Sequence, residues 1–550
     1  MRRSFLALAA FLGGLQPSLA LPPLSITLPA NAYPVTVIDD NFMGVSWELS
    51  SFNTLWGDNA DSSPPAMQNY LHNFAARLSK PLRIRVGGNG MDSSTYDPSL
   101  GTFLTVDPST DVNNDDISVH FGPIVLDVMN AMSDKVGEMQ FLFGLPLRSP
   151  EADNYVPLTN DTAHKLGSRL DALLLGNEPD LYVSHGDKAV YGIPDYITDV
   201  DSAFDKIRAI GVNPDNLLAG PTICCSWNLS TLFDAGFNKL DWKYYTVQRY
   251  PQNVCSGVND ANTDISYFVQ HSNVGPFLSW QSDGFPTAIQ EGKPVVLSEY
   301  NSVACGGSNI SDTFAMSMWG VDVALKAASM NYSSVFLHTR ERNVTYNLFD
   351  PPVSQNSSEP DWHTGSTYYA VLFMSEVLLA DGSMVTDLNI DNSMFSPNAT
   401  SAAYAIFDKT GTSVKRLVFM NFADGQSQDY VLPSGSGDQV GYRLLTAPSL
   451  VERQNISWAG QTIGLNGELD GQQTTTNVSC KDGCTITIPG PGLALVSLDG
   501  GGSFYTGNST SAGVDGHSVS TSKSNALRVG LGKEIVAAAV VLASAFVGLF

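Results

Sequence analysis

Two glutamates stand where apolar runs turn polar. Glu178 lies in LLLGNEPDLY, which begins at Leu173, and Glu299 lies in PVVLSEYN, which begins at Pro294. Each run reads as a buried strand that ends by presenting a carboxyl group. Roughly 120 residues separate the two, about 40 for each of three strand–helix units. That spacing puts one on a fourth strand and the other on a seventh. Two carboxyl groups facing each other over a cleft have one common use, hydrolysis of a glycosidic bond, one as acid and the other as nucleophile or base. A gap of ~5–5.5 Å goes with retention and ~6.5–9.5 Å with inversion. Mutual repulsion and partial burial are expected to raise one of the two pKa values. Glu178 is the expected acid, because Pro179 fixes its turn and Asn177 beside it can hold a sugar 2-hydroxyl. A lone strand-end glutamate more often serves a helix cap or sits in solvent. The combination Asn-Glu-Pro with Ser-Glu-Tyr is what points to catalysis.

The elements that must position these groups are legible as short apolar runs. FMGVSWELS (from Phe42), LRIRVGG (Leu82), MQFLFGLPL (Met139), ALLLGNE (Ala172), LLAGPT (Leu217), YTVQRYP (Tyr245), PVVLSEYN and SVFLHTR (Ser334) alternate with amphipathic stretches. Continuous apolar runs suit strands buried on both faces. Eight of them, each followed by a crossover, predict an α/β protein built on a (β/α)8 barrel over residues 37–381, with chemistry at the C-terminal strand ends. The rival, a doubly wound open sheet, would carry a Gly-rich phosphate loop after its first strand, and none is present there. Over 382–499, apolar runs separated by Gly, Ser, Asp and Asn turns predict a C-terminal antiparallel β-sandwich. Residues 21–36 are expected to lend it a strand.

Together these motifs resemble glycoside hydrolase family 79 of clan A, in its fungal and bacterial exo-acting β-glucuronidase branch, related to heparanase. LLLGNEPD and VVLSEYN resemble the acid/base and nucleophile motifs, RIRVGGNGMDSS the strand 2 motif and GVSWELS the strand 1 motif. The resemblance covers nearly all of the mature chain. It implies Glu178 as acid/base, Glu299 as nucleophile, retention of configuration, and a β-D-glucuronic acid, 4-O-methylated or not, in the reacting subsite. It also implies that a Gly-Gly loop and a tyrosine after strand 8, matched by Tyr346, contact the sugar carboxylate.

The residues allow a parallel reading. Gly306-Gly307 follows Glu299, and adjacent glycines can expose backbone amides in a nest that suits an anion; an ordinary turn is the alternative. Arg85 is expected to hold Glu299 ionised, or to serve as a structural ion pair. Tyr250 is placed to donate to the nucleophile, or to act as a rim aromatic. Glu48 is expected near the sugar 4-hydroxyl. Trp47 and Trp227 are candidate stacking walls, although buried tryptophans are more often core. His338 and His363 read as structural. No cofactor or metal is implied.

The net charge of −25 excludes nucleic acid and anionic membranes as partners. It also disfavours the endo-acting alternative, which would need basic residues flanking the cleft. A non-catalytic cell-wall carbohydrate-binding barrel would not need both glutamates. Residues 1–20 have the form of a secretory leader. Residues 500–525 read as a Ser/Gly-rich stalk, and 526–550 as a glycosylphosphatidylinositol-anchor signal, with a transmembrane helix as the alternative. Ten Asn-x-Ser/Thr sequons and six cysteines fit that route. Cys480 and Cys484 bracket a turn and could close a local disulfide; the pairing of the other four stays open.

Overall fold

Eight parallel strands close into a barrel in the computed structural model, which describes residues 19–106, 117–353 and 361–506. They are β1 (Met43–Glu48), β2 (Leu82–Gly87), β3 (Met139–Leu145), β4 (Leu170–Leu175), β5 (Leu218–Ile223), β6 (Tyr244–Arg249), β7 (Val295–Tyr300) and β8 (Tyr332–Thr339). β8 closes on β1, with Val335 opposite Met43. Helices α1 (Pro65–Ala75), α2 (Ile124–Val136), α3 (Tyr155–Leu166), α4 (Ile193–Ala209), α5 (Leu229–Asp234), α6 (Phe285–Gln290), α7 (Phe314–Ala328) and α8 (Tyr368–Met374) follow the strands in turn. The predicted barrel is thus the observed one. Most of the leader, the chain beyond 506 and the anchor signal lie outside the described residues. No described helix is long and apolar enough to cross a membrane.

Alternation along each strand divides two cores. On β4, Leu173 and Leu175 face the helix layer, while Ala172 and Leu174 fill the barrel with Leu142, Ala219, Val296 and Phe336. Gly44 makes room for Phe336, since a Cβ there would lie 2.6 Å from its ring. Inward parity on β2 puts Arg83 and Arg85 at opposite ends of the barrel axis. Arg83 seals the bottom by a 2.6 Å ion pair to Asp171, leaving Arg85 for the mouth.

β7 departs from simple alternation. Its ladders to both neighbours shift register between Leu297 and Tyr300, so β7 carries one more residue than β6 or β8 over that step. Strict alternation from the outward-facing Leu297 would turn Glu299 outward too. The bulge restores Tyr300 to the helix layer, where it packs on Trp319, and turns Glu299 into the mouth. Re-aiming one side chain is a common use of a bulge beside an active site.

The C-terminal region forms two antiparallel layers. One sheet runs in the order β9 (Ser383–Asp387), β10 (Ser401–Asp408), β11 (Val414–Asn421), β16 (Gly492–Ser497) and β13 (Gln439–Thr446), with β14 (Thr476–Ser479) paired to β13. The other pairs β12 (Gln426–Leu432) with β15 (Cys484–Ile488) and with the short N-terminal strand Leu24–Ser25. On β10, Ala402, Tyr404 and Ile406 face the barrel while Ala403, Ala405 and Phe407 face the sandwich core. Burial on both faces explains an apolar run in place of alternation. Cys480–Cys484 closes the turn into β15.

α7 is buried on every side between barrel and sandwich. Its Asp322 accepts from His271 Nδ1 at 2.9 Å and from the Tyr404 hydroxyl at 2.5 Å. Asp387 accepts from His271 Nε2 and from Lys326, both at 2.8 Å. Burial alone would lower the His271 pKa, but the two carboxylates raise it from 6.5 to about 10. Burial alone would raise Asp387, but His271 and Lys326 bring it from 3.8 down to about 2. The sign of the linkage follows. A raised histidine stabilises fully below its unfolded value of 6.5 and loses that contribution as pH rises toward 10. A depressed carboxylate stabilises fully above 3.8 and loses it as pH falls toward 2. A His271→Gln protein should therefore be less stable than wild type by about 3–5 kcal/mol, the gap being widest between pH 3.8 and 6.5. Thermal unfolding of both proteins across pH 2–10 checks this; a gap independent of pH would refute it.

Candidate active site

β4 ends at Leu175, and Gly176-Asn177-Glu178 follow as its exit loop. Glu178 is left-handed, with φ 46° and ψ 51°, a conformation that glycine reaches without strain and glutamate does not. Its amide donates to Thr222 O at 3.0 Å. Pro179 then opens a short 3-10 turn, Pro179–Leu181. Asp180 reaches the loop after β5 and accepts from the amides of Cys225 (2.8 Å) and Ser226 (2.7 Å). The strand-end glutamate is thus fixed by backbone contacts on both sides.

Glu299 sits opposite in a cationic and hydrogen-bonding cage. Arg85 Nη1 donates to its Oε2 at 2.6 Å, and the Tyr250 hydroxyl donates to its Oε1 at 2.8 Å. His338 Nδ1 lies 3.8 Å from Oε2 and bonds Ser46 Oγ at 2.9 Å. Burial by itself would push the Glu299 pKa up, but His338, Arg85 and Tyr250 outweigh it and hold the carboxyl below its ordinary range. The group is an ionised carboxylate, as a nucleophile must be.

One network joins the two glutamates. Arg85 Nη2 donates to Asn177 Oδ1 at 2.7 Å. With its amide oriented to satisfy both ends, Gln248 donates to Glu178 Oε1 and accepts from Arg85 Nη2, each at 3.0 Å. Asn177 Nδ2 continues to Asn89 Oδ1 at 2.8 Å. Glu48 accepts from the Gly90 amide at 2.7 Å and lies 3.7 Å from His338. A cleft of about 380 Å³ opens above, lined among others by Glu48, Glu178, Glu299, Tyr250, His338, Arg340 and Tyr346. The Tyr346 ring lies 6.2 Å from those of Tyr250 and His338.

Several expectations are corrected. Trp47 is fully buried and stacks on Phe349, in the core. Trp227 packs against Tyr191 and Tyr196 and does not line the cleft. His338 is no mere structural residue, since it faces both Glu48 and Glu299. Ala304 and Cys305 form the cleft wall, with Gly306 and Gly307 just behind it. Cys305, Gly306 and Gly307 have φ of 62°, 95° and 78°, so the run lacks the alternating right- and left-handed residues of a nest. Gly306 O instead accepts from the Thr345 amide at 3.0 Å, tying the loop to the segment that carries Tyr346. Gln248, Asn89 and Arg340 were not singled out from the sequence. A fully buried amide within the β6 run and a basic residue ending the β8 run were the available signals. Among the described residues no cluster of His, Cys, Asp and Glu could hold a metal ion.

Known proteins fit this geometry. Residues 403–495 match the family model described as the glycosyl hydrolase family 79 C-terminal beta domain. The chain is 25% identical over 443 residues to a beta-glucuronidase of Aspergillus niger, spanning 74% of this chain and 77% of that one. It is 23% identical over 416 residues to a beta-glucuronidase of Neurospora crassa, spanning 70% and 73%. The crystal structure of a 4-O-alpha-L-rhamnosyl-beta-D-glucuronidase from Fusarium oxysporum superposes with a TM-score of 0.72 at 22% identity, over 86% of this chain and 100% of that one. A family 51 arabinofuranosidase of Thermotoga petrophila shares the architecture alone, with a TM-score of 0.56 at 13% identity over 86% and 98%. A sandwich that matches the family 79 C-terminal domain, joined to a barrel with glutamates at the ends of β4 and β7, makes the chain a glycoside hydrolase similar to those of family 79.

Proposed function

We propose that this protein is a retaining exo-β-glucuronidase that releases terminal β-D-glucuronic acid by double displacement. Glu299 attacks the anomeric carbon while Glu178 protonates the leaving oxygen; water activated by Glu178 then hydrolyses the glycosyl-enzyme. The observation that carries the reading is the Glu299 cage. A carboxylate kept ionised by Arg85 and Tyr250, across the mouth from a second glutamate, is what a nucleophile requires. Asn177, held by Arg85, is placed for the sugar 2-hydroxyl, and Glu48 for hydroxyls at the far side of the ring. Tyr346 and Arg340, both following β8, supply a hydroxyl and a cation for the uronate carboxylate. The beta-glucuronidases among its relatives support this substrate. The leader, the sequons and the apolar C-terminal tail support secretion and attachment to the cell surface through a glycosylphosphatidylinositol anchor.

A panel of aryl β-glycosides tests the substrate. The glucuronide should be preferred over the glucoside and the galactoside by at least about 100-fold in kcat/KM, because polar groups arranged for a carboxylate are left unpaired by a hydroxymethyl group. Preference for the glucoside would overturn the uronate assignment.

A further inference from the structure

The wall of the cleft beyond Glu178 is built from an unusual pair. Adjacent Cys224 and Cys225 are bonded to each other, and both line the cleft with Leu181 and His185. Cys225 is exposed. A disulfide between neighbours ties the backbone and both sulfurs into one small ring, so it presents a firm, polarisable surface with no strong hydrogen-bonding group. Its position relative to Glu178 is fixed twice. Thr222 O, two residues before Cys224, accepts the Glu178 amide, and Asp180, two residues after Glu178, accepts the Cys225 and Ser226 amides. Ser226 Oγ also donates to Asp180 O at 2.8 Å. Proton donor and disulfide therefore belong to one rigid unit.

If Glu178 is the acid, as proposed above, the glycosidic oxygen lies beside its carboxyl and the departing group lies on its side of the cleft. We infer that the Cys224–Cys225 disulfide, with Leu181, forms the platform for the leaving group, and that it selects a neutral ring with an apolar face. Charge argues in the same direction. Asp180 is spent on the loop amides, and Arg249, which also lines the cleft, keeps its guanidinium over Trp280 at 5.0 Å. Among the described residues, this wall offers an anionic leaving group no lysine or arginine beyond Arg249.

The test uses the full chain and three β-glucuronides that share the glucuronyl group. One carries a hexose leaving group, one a nitrophenol, and the third is glucuronyl fluoride, whose leaving group is one atom. The Cys224→Ser/Cys225→Ser protein is compared with wild type, and Leu181→Ala, which keeps the disulfide, serves as a second variant. Both variants should lose about tenfold in kcat/KM on a ring leaving group, and clearly less on the fluoride. A loss on hexose alone or on nitrophenol alone identifies which ring the platform fits. Equal losses on all three substrates, or none on either ring, would overturn the platform while leaving the glucuronidase assignment intact. A wild-type protein that cleaves none of them would overturn both.

Discussion

Glu299→Gln should lower kcat on an aryl β-glucuronide by at least about 10⁴-fold, as expected when a covalent nucleophile is removed. The amide is nearly isosteric: its oxygen can accept from Arg85 while its NH2 donates to the Tyr250 hydroxyl oxygen, so the fold should survive. Alanine would be the worse probe, because stripping the partner from a buried cation costs about 3–5 kcal/mol. Arg85 is buried and aimed at Glu299 Oε2 from 2.6 Å. The expected signature is thus lost turnover, with an unfolding temperature and an affinity for free glucuronate close to wild type. Steady-state kinetics and a thermal melt on the same preparation check it. Turnover at the wild-type rate would sink the catalytic assignment, whatever the fold.

Glu178→Gln should cause a loss that depends on the leaving group. General acid catalysis is worth about 10²–10⁴-fold. The upper end is expected for a sugar, whose alkoxide leaves poorly, and the lower end or less for a nitrophenol, which leaves without help. The amide still accepts from Gln248 and keeps the backbone contact to Thr222 O, so orientation is preserved while the proton is removed. Measuring both substrates separates this from misfolding, which would lower both rates alike. An equal fall would remove Glu178 from the proton-transfer role. The comparison turns on leaving-group acidity, whereas the disulfide variants turn on leaving-group size, so the two roles stay separable.

The sequence shows the barrel plainly because its strands are buried twice. LLLGNE and VVLSEY are continuous apolar runs for the same reason that Leu173 and Leu174 face different cores. Their polar ends mark the mouth, so Glu48, Arg85, Asn177, Glu178, Tyr250, Glu299 and Tyr346 could be named as a group. What stayed hidden depends on partners distant in the chain. His338 reads as structural until β8 closes on β1 and brings it to Glu48. Gln248 is one polar residue in a strand until Arg85 and Glu178 appear on either side. Trp227 looks like a sugar wall until Tyr191 and Tyr196 claim it. Cys480–Cys484 is legible as a bridged turn, but the pairing of the other four cysteines is not, since adjacent cysteines give no hint that they bond to each other. The glycine pair misled because two glycines permit a nest without imposing one.

The extra residue in β7 means that Glu299 owes its direction to a count and not to an identity. Ser298 is the fully buried residue just before it, its hydroxyl donating to Val247 O at 3.3 Å. Pairing Ser298, Glu299 and Tyr300 in regular register would leave the composition untouched, yet it would turn the carboxylate toward Trp319 and an aromatic ring toward the cleft. A chain that kept the Ser-Glu-Tyr motif but lost the bulge would carry the same letters and no carboxylate in the mouth.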